Sequence, residues 1–340
     1  MEDKEEIKQK KSKGKGLDIG TAFLVCAENA NNEIVYRSER NAFFEVAYND
    51  FTKNILNNSK VKYIIKENKL YVVGEEALEF ANIFNKDTRR PLSSGVISPK
   101  EKEALPMVEL LIKTVLGEHS SEGELVYYSV PGEPLDAQFN IIYHERVLNG
   151  FLKKIGYNPK PIKEGHAVVL SELANNGFTG LGLSFGAGMV NVCLSYKAVP
   201  VFTFSLTKAG DWIDQQVSMV VNETASKVCS IKESSLDLSK NDSLTRIESA
   251  LSVYYNHLIE YVIENIKDEF SKTENMPQID KPIDIVLSGG TAMPKGFAER
   301  FNEILLKLKF PLKIGEVKIA SSPLKAVAKG ALVAANAESG

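Results

Sequence analysis

The chain has 340 residues, a formal net charge of −3, 44% hydrophobic and 25% charged side chains. A single apolar core stops growing at about 250–300 residues, so this length predicts two domains. The charge balance offers no basic face for nucleic acid, the longest apolar runs are only strand-length, and the charged N-terminus is unlike a secretory signal; the expectation is a cytoplasmic protein with no transmembrane segment.

Residues 1–15, MEDKEEIKQKKSKGK, are almost all charged or polar and read as a flexible lead-in. GLDIGTAFLVCAE and NEIVYRSER then predict two strands with a polar turn between them. Residues 68–84 read as strand, glycine turn and helix, 100–117 as an amphipathic helix, 124–131 as a buried strand, and 140–157 as a helix stopped by Gly156. A helix over 164–177 ends at Asn-Asn-Gly. The second half opens as the first does, with strand, glycine turn and strand over 180–196, then a strand over 198–207. A long helix from about Leu244 to Phe270 keeps apolar residues at three-to-four spacing. A strand over 284–290, a helix starting in TAMPKGFAERF and a small-residue helix over 322–337 close the chain. The class is α/β, and the repeated strand–turn–strand unit places a ligand between two halves. Cys26 and Cys193 lie in apolar runs, and with Cys229 they make an odd count without CxxC spacing, which predicts reduced thiols rather than disulfides or zinc.

The two glycine turns carry the chemistry. Glycine lets backbone amides converge on an anion and lets the chain approach a ligand closely. Asp18-Ile19-Gly20-Thr21 and Ser184-Phe185-Gly186-Ala187-Gly188 both have this form, although either alone also suits an ordinary hairpin. Asp18 suits Mg²⁺, reached through water, because that ion keeps its hydration shell and favours carboxylate oxygen. No Walker A motif and no GxGxxG before a helix is present.

DIGT, SFGAGMVNV, SGGTAMPKGF and PLKAVAKGA, in that order, resemble the motifs of the actin-like ATPases, and within them the prokaryotic actin homologues of the MreB, MamK and ParM kind. RRPLSSGVISPKEKEA and GDWID resemble stretches of the same group. The resemblance implies an actin-like two-lobed fold of duplicated ribonuclease-H-like domains around a nucleotide cleft. Lobe I would span 16–175 with a small outer subdomain at about 38–85 and a completing helix at 322–340; lobe II would span 176–321 with an outer part at about 211–283. It implies ATP or ADP with Mg²⁺ as cofactors. Gly20 and Thr21 would form the first phosphate loop, with Asp18 near the metal; Ser184, Gly186, Ala187 and Gly188 would form the second. Gly289, Gly290 and Thr291 would border the adenosine, flanked by Lys232 and Glu233, and Glu164 would orient the attacking water. Glu164 also fits a helix N-terminal carboxylate, and Lys232 with Glu233 also fits a solvated charge pair.

Three positions depart from the family pattern. Its second turn begins with Asp and ends with Thr before an acidic residue, where this chain has Ser184, Met189 and Asn191. Each change removes an oxygen ligand or a charge, so the expectation is nucleotide binding with slow or impaired hydrolysis. The resemblance implies self-assembly into cytoskeletal filaments, with adaptor proteins as further partners. A monomeric chaperone-like nucleotide-responsive module and a small-molecule kinase are the competing expectations.

Overall fold

The computed structural model describes residues 14–83, 88–240, 242–274 and 276–339. The first sheet is built from β1 (Lys15–Ile19), β2 (Phe23–Ala30) and β3 (Glu33–Arg40). A smaller unit follows: β4 (Phe43–Ala47), α1 (Asp50–Asn58), β5 (Tyr63–Lys66), β6 (Lys69–Val73) and α2 (Glu75–Ile83). The short hairpin β7 (Leu92–Ser93) and β8 (Val96–Ile97) leads to α3 (Ala104–Leu116), β9 (Glu124–Val130), α4 (Ile142–Lys154), β10 (Tyr157–Lys163) and α5 (Glu164–Glu172). The second half runs through β11 (Gly180–Phe185), β12 (Val190–Tyr196), β13 (Val199–Leu206), α6 (Gly210–Val221), α7 (Ala225–Ser234) and α8 (Arg246–Lys272). It ends with β14 (Ile283–Ser288), α9 (Phe297–Lys307), β15 (Ile314–Ile319) and α10 (Ala326–Ser339).

The repeat in the sequence becomes a repeat in topology. The sheets run β10-β9-β1-β2-β3 and β13-β12-β11-β14-β15. In each, the first three strands pair antiparallel and the last two add parallel beside the first. Strand alternation buries Leu17, Leu24 and Cys26 under α3 in the first half, and Leu183, Val192 and Phe204 in the second. The helix α8 starts at a capping box, in which the Thr245 hydroxyl accepts from Glu248 N and the Glu248 carboxylate accepts from Thr245 N. It buries Leu251, Tyr255, Leu258, Val262 and Ile266 in the same apolar cluster as the second sheet and as Val217 of α6 and Val228 of α7. The residues 43–83, in contrast, keep a cluster of their own around Phe44, Leu56, Leu70 and Val72.

Two features differ from the sequence reading. Lys15, assigned to the lead-in for its charge, is the first residue of β1 and only 4% exposed. Its ammonium donates to Leu116 O (3.1 Å) and Glu118 O (2.8 Å) and pairs with Glu28 at 3.3 Å, so its charge is met inside the fold. Residues 1–13 of that lead-in lie outside the described residues. The helix α5, assigned to lobe I, packs on β11 and β12 of the second sheet, while α10, which follows the second sheet, packs on β1, β9 and β2 of the first. The halves thus exchange helices. Close packing permits this: a Cβ on Gly330 of α10 would stand 1.8 Å from Ala167 O of α5, and one on Gly16 would stand 2.1 Å from Ala328 O.

Candidate functional site

A cavity of about 350 Å³ lies between the two sheets. It is bordered by the turns that end β1, β11 and β14 and by α6 and α7. The first two turns have the same backbone closure. Gly20 N donates to Phe23 O at 3.0 Å, and Gly186 N donates to Met189 O at 2.9 Å. A Cβ on Gly20 would sit 2.8 Å from Phe23 O, and one on Gly186 would sit 2.9 Å from Met189 O, so both turns need glycine there.

Side chains at the two turns differ. Asp18 is partly buried, and its Oδ1 accepts from the Ser129 hydroxyl at 2.8 Å; the same Ser129 oxygen accepts from Ile19 N at 2.9 Å. Ser184, the counterpart of Asp18, donates to Glu164 Oε2 at 3.2 Å. Burial pushes the Asp18 carboxyl up, with the Ser129 hydrogen bond opposing. Burial, and then the Asp18 charge, pushes Glu164 up further, against the pull of Ser184, Asn191 and Lys163. Two carboxyls therefore share a buried site without enough positive charge beside them.

The sequence-predicted residues Asp18, Gly20, Thr21, Glu164, Ser184, Gly186, Ala187, Lys232, Glu233, Gly289, Gly290 and Thr291 all line this one cavity. Gly188 does not. A Cβ there would stand 2.4 Å from Thr21 Oγ1 and 2.7 Å from Gly95 N, so close contact between the halves requires glycine at this position. Gly289 has φ +88°, and its amide donates to Pro323 O at 3.1 Å; Thr291 Oγ1 donates to Gly186 O at 2.9 Å, which ties the third turn to the second. Lys232 is not a solvated charge: Nζ pairs with Asp214 Oδ2 at 2.6 Å and donates to Gly210 O at 3.2 Å, and both side chains are under 9% exposed. Burial raises the Asp214 carboxyl, and the Lys232 charge opposes this. Glu233 accepts from the Cys229 thiol at 3.5 Å.

Met189 and Asn191 stand away from the lining. Met189 is 3% exposed and its Sδ would be 2.6 Å from a Cβ on Gly95. Asn191 Oδ1 accepts from Gly132 N at 2.8 Å. Arg90, Asp211 and Asp214 line the cavity without having been given a role by the sequence reading. The RRPLSSG and GDWID stretches were the signal, but their partners are far apart in the chain.

A family model named Volactin matches residues 14–335. The chain belongs to the Volactin family. No curated protein matches its sequence. Among solved structures, this Volactin-family chain is similar to a MamK double helical filament, at 18% identity and TM-score 0.72 over 94% of this chain and 98% of that one. It is also similar to MreB 5 of Spiroplasma citri bound to AMPPNP, at 16% identity and TM-score 0.64 over 93% of each chain. A third is the ethanolamine utilization protein EutJ from Carboxydothermus hydrogenoformans, at 15% identity and TM-score 0.53 over 94% and 89%. At these identities the likeness is one of fold, and the fold is the two-lobed actin-like one.

Among the described residues no three His, Cys, Asp or Glu side chains gather as a metal cage. The donor set fits an ion that keeps most of its own waters and takes phosphate oxygens, as Mg²⁺ does. The two raised carboxyls are the observation that suits it, since a cation beside them would lower both.

Proposed function

We propose that the protein binds ATP or ADP with Mg²⁺ in the interlobe cavity, assembles with copies of itself into cytoplasmic filaments, and hydrolyses ATP slowly. The observation that carries this reading is the pairing of two like-closed glycine turns across one cavity with unlike side chains behind them. Gly20, Thr21, Gly186 and Ala187 border the phosphate position; the Gly20 and Gly186 amides close the turns, and the donor capacity of the Thr21 and Ala187 amides does not depend on which side chain precedes the turn. The Gly289–Thr291 turn and the Lys232–Glu233 stretch border the adenosine position.

Mg²⁺, held through Asp18, would neutralise phosphate charge. Glu164 orients water, and the Ser184 hydroxyl fixes the Glu164 carboxyl by its 3.2 Å hydrogen bond. Ser184 brings no charge to the site, and Met189 faces Gly95 and offers water no polar atom. Loss of one such polar contact costs about 10²–10³ in rate in other enzymes, so binding outlasts hydrolysis. Self-assembly is supported by likeness to a MamK filament, and nucleotide binding by likeness to MreB 5 structures bound to AMPPNP and ADP. Among the described residues no helix is long and apolar enough to cross a membrane.

The test is one tube with protein and Mg-ATP, scored for pelleted protein and released phosphate. ATP-dependent pelleting with little phosphate is expected. Brisk phosphate release would overturn the account of Ser184 and Met189. Bound nucleotide without pelleting at any concentration would favour a monomeric nucleotide-responsive module.

A further inference from the structure

The segment from Arg89 to Ile97 leaves the small unit of lobe I and passes beside the cavity. Arg89 is fixed within its own half. Its backbone pairs with Phe43, its Nε donates to Glu101 at 2.8 Å, its Nη1 donates to Glu45 at 3.0 Å, and its guanidinium lies 4.7 Å from the Phe43 ring centre. Arg90 points the other way. Its Nη1 donates to both carboxylate oxygens of Asp211 in α6, at 2.9 and 3.1 Å, across the gap between the halves.

Asp211 is in turn bound to the second turn. Asp211 N donates to Ala187 O at 2.8 Å, and Gly210 N donates to Gly186 O at 3.1 Å. At its other end the same segment reaches the first turn, where Gly95 N donates to Thr21 Oγ1 at 3.1 Å. One short segment therefore touches both turns, and the Arg90–Asp211 pair is its only ion pair across the cavity among the described residues. The side chains are 33% and 32% exposed, so water and salt compete for them and the pair can open.

We propose that the Arg90–Asp211 pair is a latch that sets how long a nucleoside di- or triphosphate stays in the cavity. This rests on the nucleotide reading above. With the pair closed, the halves are held around the phosphate position through Ala187 on one side and Thr21 on the other. With the pair open, only weaker contacts of the segment remain, and a ligand leaves sooner. Arg90 and Asp211 act by positioning the two turns.

The experiment is release of a fluorescent N-methylanthraniloyl-ATP, chased by excess ATP, from the full chain and from R90A, D211N and R90A/D211N. Asp211→Asn keeps side-chain volume, so a fold lost in R90A alone leaves the test intact. Each single change is expected to raise the release rate roughly tenfold, with the double change adding little more, because either one opens the same pair. Release from the natural chain should quicken with salt, and release from the double variant should not. Unchanged rates in both single variants, or effects that multiply in the double variant, would overturn the latch. If the natural chain takes up no analogue before the chase, the nucleotide reading fails, and that outcome is visible separately.

Discussion

The first and second glycine turns are the same backbone with different side chains. Each closes an amide onto a carbonyl three residues on, at 3.0 and 2.9 Å, and each follows a strand in the middle of its sheet. At the first, a carboxylate is held by a serine on the neighbouring strand. At the second, a serine hydroxyl donates to a carboxyl brought by α5 from the junction of the halves. A third carboxylate at position 184 would face Asp18 and Glu164, both already raised by burial. Serine there spares the empty site that repulsion, at the cost of charge beside a metal. On the proposed reading, phosphate grip and metal chemistry are thus separable properties of one fold.

The comparison breaks first if the backbone is not the shared part. Gly20→Val and Gly186→Val, each forced against a carbonyl under 3 Å away, should weaken nucleotide binding to a similar degree, about 10- to 100-fold in equilibrium titration. A loss at only one turn would mean that the turns do unlike work. Asp18→Asn should lower affinity about tenfold with Mg²⁺ and far less with a chelator present, whereas Ser184→Ala should change neither by more than about twofold. Restoring the family chemistry sharpens the contrast: S184D/M189T should raise phosphate release about tenfold or more in a single-turnover assay, and should melt lower than the natural chain when Mg²⁺ is withheld.

The smallest effect is on pH dependence. The folded state holds the Glu164 proton more tightly than the unfolded chain does, because burial and Asp18 raise it. The stabilising contribution is therefore present below the ordinary carboxylate range, at about pH 4, and is lost as pH rises above that range. His144 acts oppositely: burial, then the Lys163 charge, lowers it to about 4, so it favours the fold as pH rises toward neutrality. The Glu164 part is isolated as a difference, and the melting temperature of Glu164→Gln should decline less between mildly acidic and alkaline buffer than that of the natural chain. Parallel curves would remove Glu164 from the account.

Much of this was legible because strands and helices announce themselves locally. The alternation around Gly20 and Gly186, the spacing in Leu251–Leu258–Val262–Ile266 and the stop at Gly177, with φ +59°, each depend on neighbours in sequence. The helix α1 was missed because it is short and rich in asparagine, and of its apolar residues Phe51, Ile55 and Leu56 only Leu56 is buried. The Lys232–Asp214 and Arg90–Asp211 pairs were hidden for another reason: 18 and 121 residues separate the partners, and no spacing rule connects them. At Gly188 the sequence could not show the packing role, because glycine serves both ligand approach and chain packing, and the nearness of Thr21 and Gly95 emerges only in the fold.

The exchange of helices has a consequence for the order in which the molecule can be made. Ala328 and Leu332 of α10 complete the apolar contact with Val25 and Ala27 of β2, and Gly16 of β1 lies against the backbone of the same helix. During synthesis, the first sheet therefore waits with one face bare until α10 has left the ribosome. A chain stalled before α10 offers that face to whatever binds unfinished proteins, and the protein reaches its stable form as a whole rather than lobe by lobe.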